Sequence, residues 1–240
     1  MPRGNFRRRS LLLPEVVSPR SCAADARDPG YTLVEMLVVI FIISILAGLI
    51  TTGVQQARKS ADRKATLIEI QHLMAACDSF KTAWGDYTQT SLRHPSVNVR
   101  VNTLNEGSES LLAHLTSRKQ GGPFHGDVAD DRLSNTDADK LTTKDNTVVR
   151  NTLDWTRGNN TLLEYTDMWG NPFVYLHNRD YGNTKKMQYL DVQGRAVSIE
   201  ASKSKKTESY HDSTTFQIWS FGPNRTNENG QGDDIVSWDN

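Results

Sequence analysis

Met36 to Ala57 runs for 22 residues without a charged side chain, and Leu33–Ile50 is dominated by Val, Ile, Leu, Met and Phe. A helix needs about 20 apolar residues to cross a hydrocarbon core of roughly 30 Å. This run is long enough for one span, and longer than the apolar region of a typical secretory signal. Only 37% of the 240 residues are apolar, so a multi-span membrane protein is excluded. One greasy segment must therefore carry a very polar remainder. The 28 basic and 28 acidic residues cancel, which argues against a strongly basic nucleic-acid binder. No nucleic-acid partner is expected. Cys22 and Cys77 are too few for a disulfide scaffold or a four-cysteine zinc site.

Glu35 is the anomaly in the apolar run. An ionised carboxylate near a membrane centre costs roughly 2.5–3.5 kcal/mol. A nearby cation removes most of that cost, and a free α-amino group would be one. Upstream, residues 1–30 hold six arginines against Glu15, Asp25 and Asp28, with four prolines and no helical or strand period. They read as an unfolded cationic leader.

Downstream, Leu67, Ile70, Met74, Cys77, Phe80 and Trp84 recur every three or four residues between charged neighbours. No proline interrupts residues 31–84, so the pattern predicts one helix of about 54 residues, roughly 80 Å long. Its first half is apolar all round and its second half only on one stripe. Gly85–Asp86–Tyr87 supplies the stop. Residues 88–164 turn polar. Leu111–Leu115 is an apolar patch suited to a helical turn against the stem, and 121–160 reads as a partly disordered insertion. Strand signals return at Phe173–Leu176, Lys186–Val192, Arg195–Glu200 and Thr215–Phe221, with Gln193–Gly194 as a hairpin turn. The expected class is α+β, a long N-terminal helix packed on a small antiparallel sheet.

The junction Pro29–Gly30–Tyr31–Thr32–Leu33–Val34–Glu35–Met36 resembles that of the type IV pilin class. The resemblance implies cleavage by a prepilin peptidase after Gly30, N-methylation of Tyr31, and an assembly role for Glu35. Tyr31 stands where phenylalanine is usual. A second resemblance is to the major pseudopilin of type II secretion. It rests on Phe80–Tyr87 at the stem's end and on Asp167–Met168–Trp169–Gly170–Asn171–Pro172–Phe173–Val174–Tyr175. It rests also on Ile218–Asn224 with Gly230–Trp238 at the C-terminus. In that family the C-terminal loop holds calcium, and the matching residues are Asn224, Asp233 and Asp234. Two carboxylates, an amide oxygen and backbone carbonyls suit calcium, which takes six to eight oxygens. A solvated acidic turn without metal is the alternative.

These resemblances imply a pilin-like division. Residues 1–30 are a leader, 31–53 a membrane and filament-core helix, 54–87 an amphipathic stem, 88–166 a polar insertion and 167–240 a C-terminal sheet domain with the calcium-type loop. The implied protein is a structural subunit and no enzyme, anchored once in the inner membrane with its head in the periplasm. Implied partners are copies of itself, minor pseudopilins, the prepilin peptidase, membrane lipid, an inner-membrane assembly platform and a secretion ATPase. The alternatives are a pilin or minor pilin of an adhesion, motility or DNA-uptake filament, and a signal-anchored periplasmic enzyme or binding protein.

Other features carry less. The six histidines never adopt a metal-binding spacing, and Cys77 falls on the stem's apolar stripe, where packing is expected. Arg58, Lys59, Arg63 and Lys64 form a basic collar after the span. Asn135–Lys140 opens like a calcium-binding helix–loop–helix loop but lacks the glycine at its sixth place and the glutamate at its twelfth, where Asn146 stands. It reads as a solvated loop.

Overall fold

The computed structural model describes residues 30–92, 102–126, 128–145, 147, 160–183 and 187–238. Residues 1–29 of the expected leader 1–30, residues 127, 146 and 148–159 of the expected insertion 121–160, and Lys186 of the second expected strand lie outside the described residues. Two compact units divide between Leu49 and Ile50.

Helix α1, Leu33–Trp84, runs for 52 residues and contributes to both units. In the N-terminal unit its apolar side chains from Leu33 to Leu46 are exposed, and the helix is long and apolar enough to cross a membrane. A continuous apolar surface of this kind requires lipid or other chains around it. The helix ends where Gly85 donates its N–H to the Lys81 carbonyl at 2.7 Å.

The second unit is built on the stem half of α1. Ile70, Leu73, Cys77 and Phe80 are buried against Leu111, Leu112 and Leu115 of α2 (Glu106–Thr116) and against one face of a three-stranded antiparallel sheet. That sheet has the order β3 (Val174–His177), β6 (Phe216–Ser220), β7 (Ile235–Val236), with Val174 opposite Trp219 and Trp219 opposite Val236. Side chains alternate across a strand. Tyr175, Phe216, Ile218 and Ile235 therefore meet the stem. Val174, Leu176, Trp219 and Val236 face away, into a second cluster with Tyr189 and Ile199. Tyr189 belongs to the β4–β5 hairpin (Gln188–Leu190, Ala196–Ser198), which pairs antiparallel. The central sheet is thus covered on both faces, where the sequence pattern implied a helix on one.

Four expected strands are present: the first lies one residue further on, at Val174–His177, and the other three are shorter than expected. The described residues of the polar region 88–166 hold more regular structure than its composition implied. It contributes α2 and an antiparallel pair, β1 (Leu133–Ser134) with β2 (Glu164–Tyr165). The reason lies in buried polar groups that have partners: Ser110 Oγ donates to the Gln89 carbonyl at 2.6 Å, and Tyr165 N–H donates to Ser108 Oγ at 3.3 Å. Cys77 is fully buried, and burial pushes its thiol pKa up, so it packs as a small apolar group.

Candidate functional site

The expected processing junction lies at the start of the described residues. Gly30 and Tyr31 precede α1 in exposed backbone, and Thr32 is the residue before the first helical position. Thr32 N–H donates to Glu35 Oε2 at 2.7 Å, while Glu35 N–H donates to Thr32 Oγ1 at 3.2 Å. This reciprocal pair is a capping box, which satisfies backbone donors left open at a helix start. The threonine and the glutamate three residues later were its signal in the sequence. Glu35 is the one charged residue between Tyr31 and Ala57. Its carboxylate closes the helix end beside the junction.

The motif Asp167–Tyr175 forms a locked turn into β3. Asp167 Oδ1 accepts the N–H groups of Trp169 (2.8 Å) and Asn171 (2.9 Å), and Oδ2 accepts Ser220 Oγ–H of β6 at 2.6 Å. Asn171 Oδ1 accepts Val192 N–H at 3.0 Å, which ties the turn to the hairpin. Burial raises the Asp167 pKa, and the donors around it oppose that shift. The turn joins three segments.

The C-terminal loop gathers three carboxylates: one oxygen each of Glu228, Asp233 and Asp234 lies within 4.8 Å of the others. Asp234 Oδ2 accepts N–H groups from Gly230 (2.7 Å) and Glu228 (3.1 Å), and Glu228 Oε2 accepts Asp233 N–H at 2.9 Å. Asp233 Oδ1 and Asp234 Oδ1 are buried without a hydrogen-bond partner. Burial first, then the neighbouring carboxylates, pushes Asp234 up to about 7. Gly232 has φ +60°, and a Cβ there would stand 1.9 Å from Glu228 Oε2. The left-handed backbone suits glycine, and a side chain here would displace the Glu228 carboxylate.

Asp233 and Asp234 are thus brought together as the sequence placed them. Asn224 meets them through its backbone: its N–H donates to Asp233 Oδ2 at 3.0 Å, while its side-chain oxygen accepts Thr226 N–H at 2.6 Å. Glu228 fills the third place, in a position that sequence spacing did not single out. Two unpartnered, buried carboxylate oxygens beside a third acid fit a hard cation.

The loop 135–140 departs from its solvated reading. Both oxygens of Asp139 and Oδ1 of Asn135 are buried, and Glu109 of α2 reaches the same place.

Residues 26–51 match the family described as the prokaryotic N-terminal methylation motif. Over 79 residues the chain is 32% identical to the type II secretion system core protein G of Pectobacterium carotovorum subsp. carotovorum. The alignment covers 30% of this chain and 51% of the relative, so the chain spans about half the length of the curated relative it matches. No solved structure matches. A methylation motif on an exposed apolar helix, ahead of an α+β head, makes this chain similar to the type IV pilin-like and pseudopilin structural subunits rather than to enzymes.

Proposed function

We propose that the chain is a pseudopilin of a type II secretion system. It is cleaved after Gly30 by a prepilin peptidase, methylated on Tyr31, and held by residues 32–51 in the inner membrane with its head in the periplasm. Copies then assemble helix to helix into a short filament, joined by minor pseudopilins and driven through an assembly platform by a secretion ATPase. The observation that carries this reading is the junction itself: a methylation motif in which Glu35 caps the start of an exposed helix and is the one charged residue from Tyr31 to Ala57. Cleavage creates an α-amino group at Tyr31, one residue from the Thr32 N–H that Glu35 already holds. An amine there, or on a neighbouring copy, gives the carboxylate its counter-ion in a low-dielectric setting. Uncleaved protein has no such amine to offer and stays out of the filament.

The similarity to a secretion core protein favours secretion over a pilus, while the N-terminal motif alone fits either. In the same reading Glu228, Asp233 and Asp234, with backbone carbonyls, would hold calcium, and the ion would neutralise the crowded carboxylates of the C-terminal loop. Chelation should then lower the melting temperature of the wild type by more than that of Asp234→Asn.

Mass spectrometry of the membrane-extracted protein tests the core of the proposal. A mature N-terminus at methylated Tyr31 is expected, with the apolar segment retained. Cleavage beyond residue 50, or an intact leader, would sink it. Deleting the gene should abolish release of exported proteins; loss of surface pili with secretion intact would move the chain to the pilus class.

A further inference from the structure

Asn135, Asp137 and Asp139 place oxygen-bearing side chains at alternate positions, as the opening of a calcium-binding loop does. The sequence lacks the acid that normally closes such a loop from its twelfth position. The fold brings one from elsewhere. Glu109, on α2, directs its carboxylate into the loop, and one oxygen each of Glu109, Asp137 and Asp139 lies within 4.8 Å of the others. The loop is shaped around this point: Asp139 N–H donates to Asp137 Oδ1 at 3.3 Å, Asn135 Nδ2–H donates to the Asp139 carbonyl at 2.9 Å, and Ala138 takes φ +58°.

Glu109 is the observation that sets this cluster apart from an ordinary acidic loop. Its side chain is fully buried, and neither carboxylate oxygen has a hydrogen-bond partner. Both oxygens of Asp139 and Oδ1 of Asn135 are also buried and unpartnered. The adjacent Glu164, by contrast, is well served. It accepts Asn105 Nδ2–H at 2.9 Å, Thr136 N–H at 3.0 Å and Thr136 Oγ1–H at 3.2 Å. The chain thus supplies donors to one carboxylate of the group and withholds them from two others. Burying carboxylates without protein donors is costly, and a bound cation relieves that cost for several of them at once.

We infer that Glu109, Asp137 and Asp139 form a divalent-cation site of calcium type, with Asn135 Oδ1 available from the same loop. The donors are all oxygen, which selects a hard cation. The oxygens lie close enough together to share one ion, and an all-protein oxygen cage with a bidentate acid is calcium chemistry, since magnesium usually keeps several waters. Two free oxygens let Glu109 act as the bidentate acid that the loop itself lacks. The ion would fasten α2 to loop 135–140 and so hold the inserted region against the stem. This site is separate from the C-terminal loop and does not depend on the filament reading.

The test is a calcium count by equilibrium dialysis at about 1 mM, the upper end of dissociation constants for extracellular modules. It uses full-length, detergent-solubilised protein stripped with chelator. Asp233→Asn/Asp234→Asn disables the C-terminal loop while leaving this site intact. That variant should retain one bound ion, and adding Glu109→Gln with Asp139→Asn should remove it. Equimolar magnesium should not displace the ion. Glu109→Gln alone removes a buried unpaired charge, so it should melt higher than wild type in chelator and respond less to calcium.

The opposing possibility is that the carboxyls simply hold protons. Calcium would then leave the melting temperature unmoved in the variant lacking the C-terminal loop acids, and that variant would bind no ion. Either result overturns the site, as does displacement by equimolar magnesium. Loss of calcium only from the Asp233/Asp234 pair would leave the C-terminal proposal standing and this one refuted.

Discussion

His177 shows how a single buried ring couples the end of the stem to the sheet. It is 2% exposed, its Nδ1 accepts Arg179 N–H at 3.1 Å, and its Nε2 lies 3.4 Å from Asp86 Oδ1. The first bond needs a bare Nδ1, so the ring is neutral with its proton on Nε2. Asp86 also takes the Arg179 guanidinium, so its charge is shared. Burial lowers the His177 pKa, and that outweighs the opposing pull of Asp86. The unfolded chain takes up a proton near pH 6.5, the folded chain only at lower pH. The stability gained from the neutral ring is therefore present above about pH 6.5 and is lost as pH falls below it. His177→Gln should melt below wild type at pH 7–8, and the deficit should shrink toward pH 5. A deficit that grows on acidification would show instead that the charged ring is held by Asp86.

At the scale of elements, α2 is where packing depends on the least conspicuous residue. A Cβ on Gly107 would lie 2.2 Å from Tyr189 Oη and 2.3 Å from the Tyr175 carbonyl. The helix can approach β3 and the hairpin this closely only without a side chain. Gly107→Ala should cost about 1–3 kcal/mol by overpacking, despite the better helix propensity of alanine. Urea melts should show a lower midpoint. Adding Tyr189→Phe should recover only part of the loss, because the Tyr175 carbonyl stays in place. An unchanged midpoint for Gly107→Ala would refute the close approach.

The same helix explains which parts of the fold were legible in the sequence. The period of α1, its glycine stop and the alternation in β3 and β6 follow from apolar spacing alone. So did Leu111–Leu115, but not the preceding turn of α2, whose Glu106–Gly107–Ser108–Glu109–Ser110 reads as loop. Gly107–Ser110 are buried by tertiary contacts that no local period encodes. Strands of two residues, such as β1 and β2, carry no period at all. Asp233 and Asp234 were visible as an acidic pair in a glycine-rich loop. Glu228 and Glu109 become relevant only once the fold carries them to their partners, Glu109 across nearly thirty positions.

At the scale of the whole molecule, neutral composition conceals a strong asymmetry. Residues 1–30 carry six basic and three acidic residues, which leaves 22 basic and 25 acidic residues in 31–240. The apolar side chains are divided as sharply: those of Leu33–Leu46 lie outward, while those of the stem, α2 and the central sheet are buried. Covering one large aliphatic side chain is worth roughly 1.5–3 kcal/mol. A dozen such residues exceed the 5–15 kcal/mol that holds a typical domain together. The N-terminal unit therefore cannot remain bare in water, whatever the head does. Full-length protein mixed with lipid vesicles should float with them through a density gradient. Val39→Asp with Ile43→Asp puts two carboxylates one helical turn apart in mid-run, at roughly 2.5 kcal/mol or more each in the hydrocarbon core. That variant should stay at the bottom of the gradient with its head folded, as judged by an unchanged urea midpoint. Glu35→Gln should float as well as wild type, because its acid lies at the helix end and its expected role is assembly. Flotation of the double variant would show that the charged stem collar, and not the apolar run, makes the membrane contact.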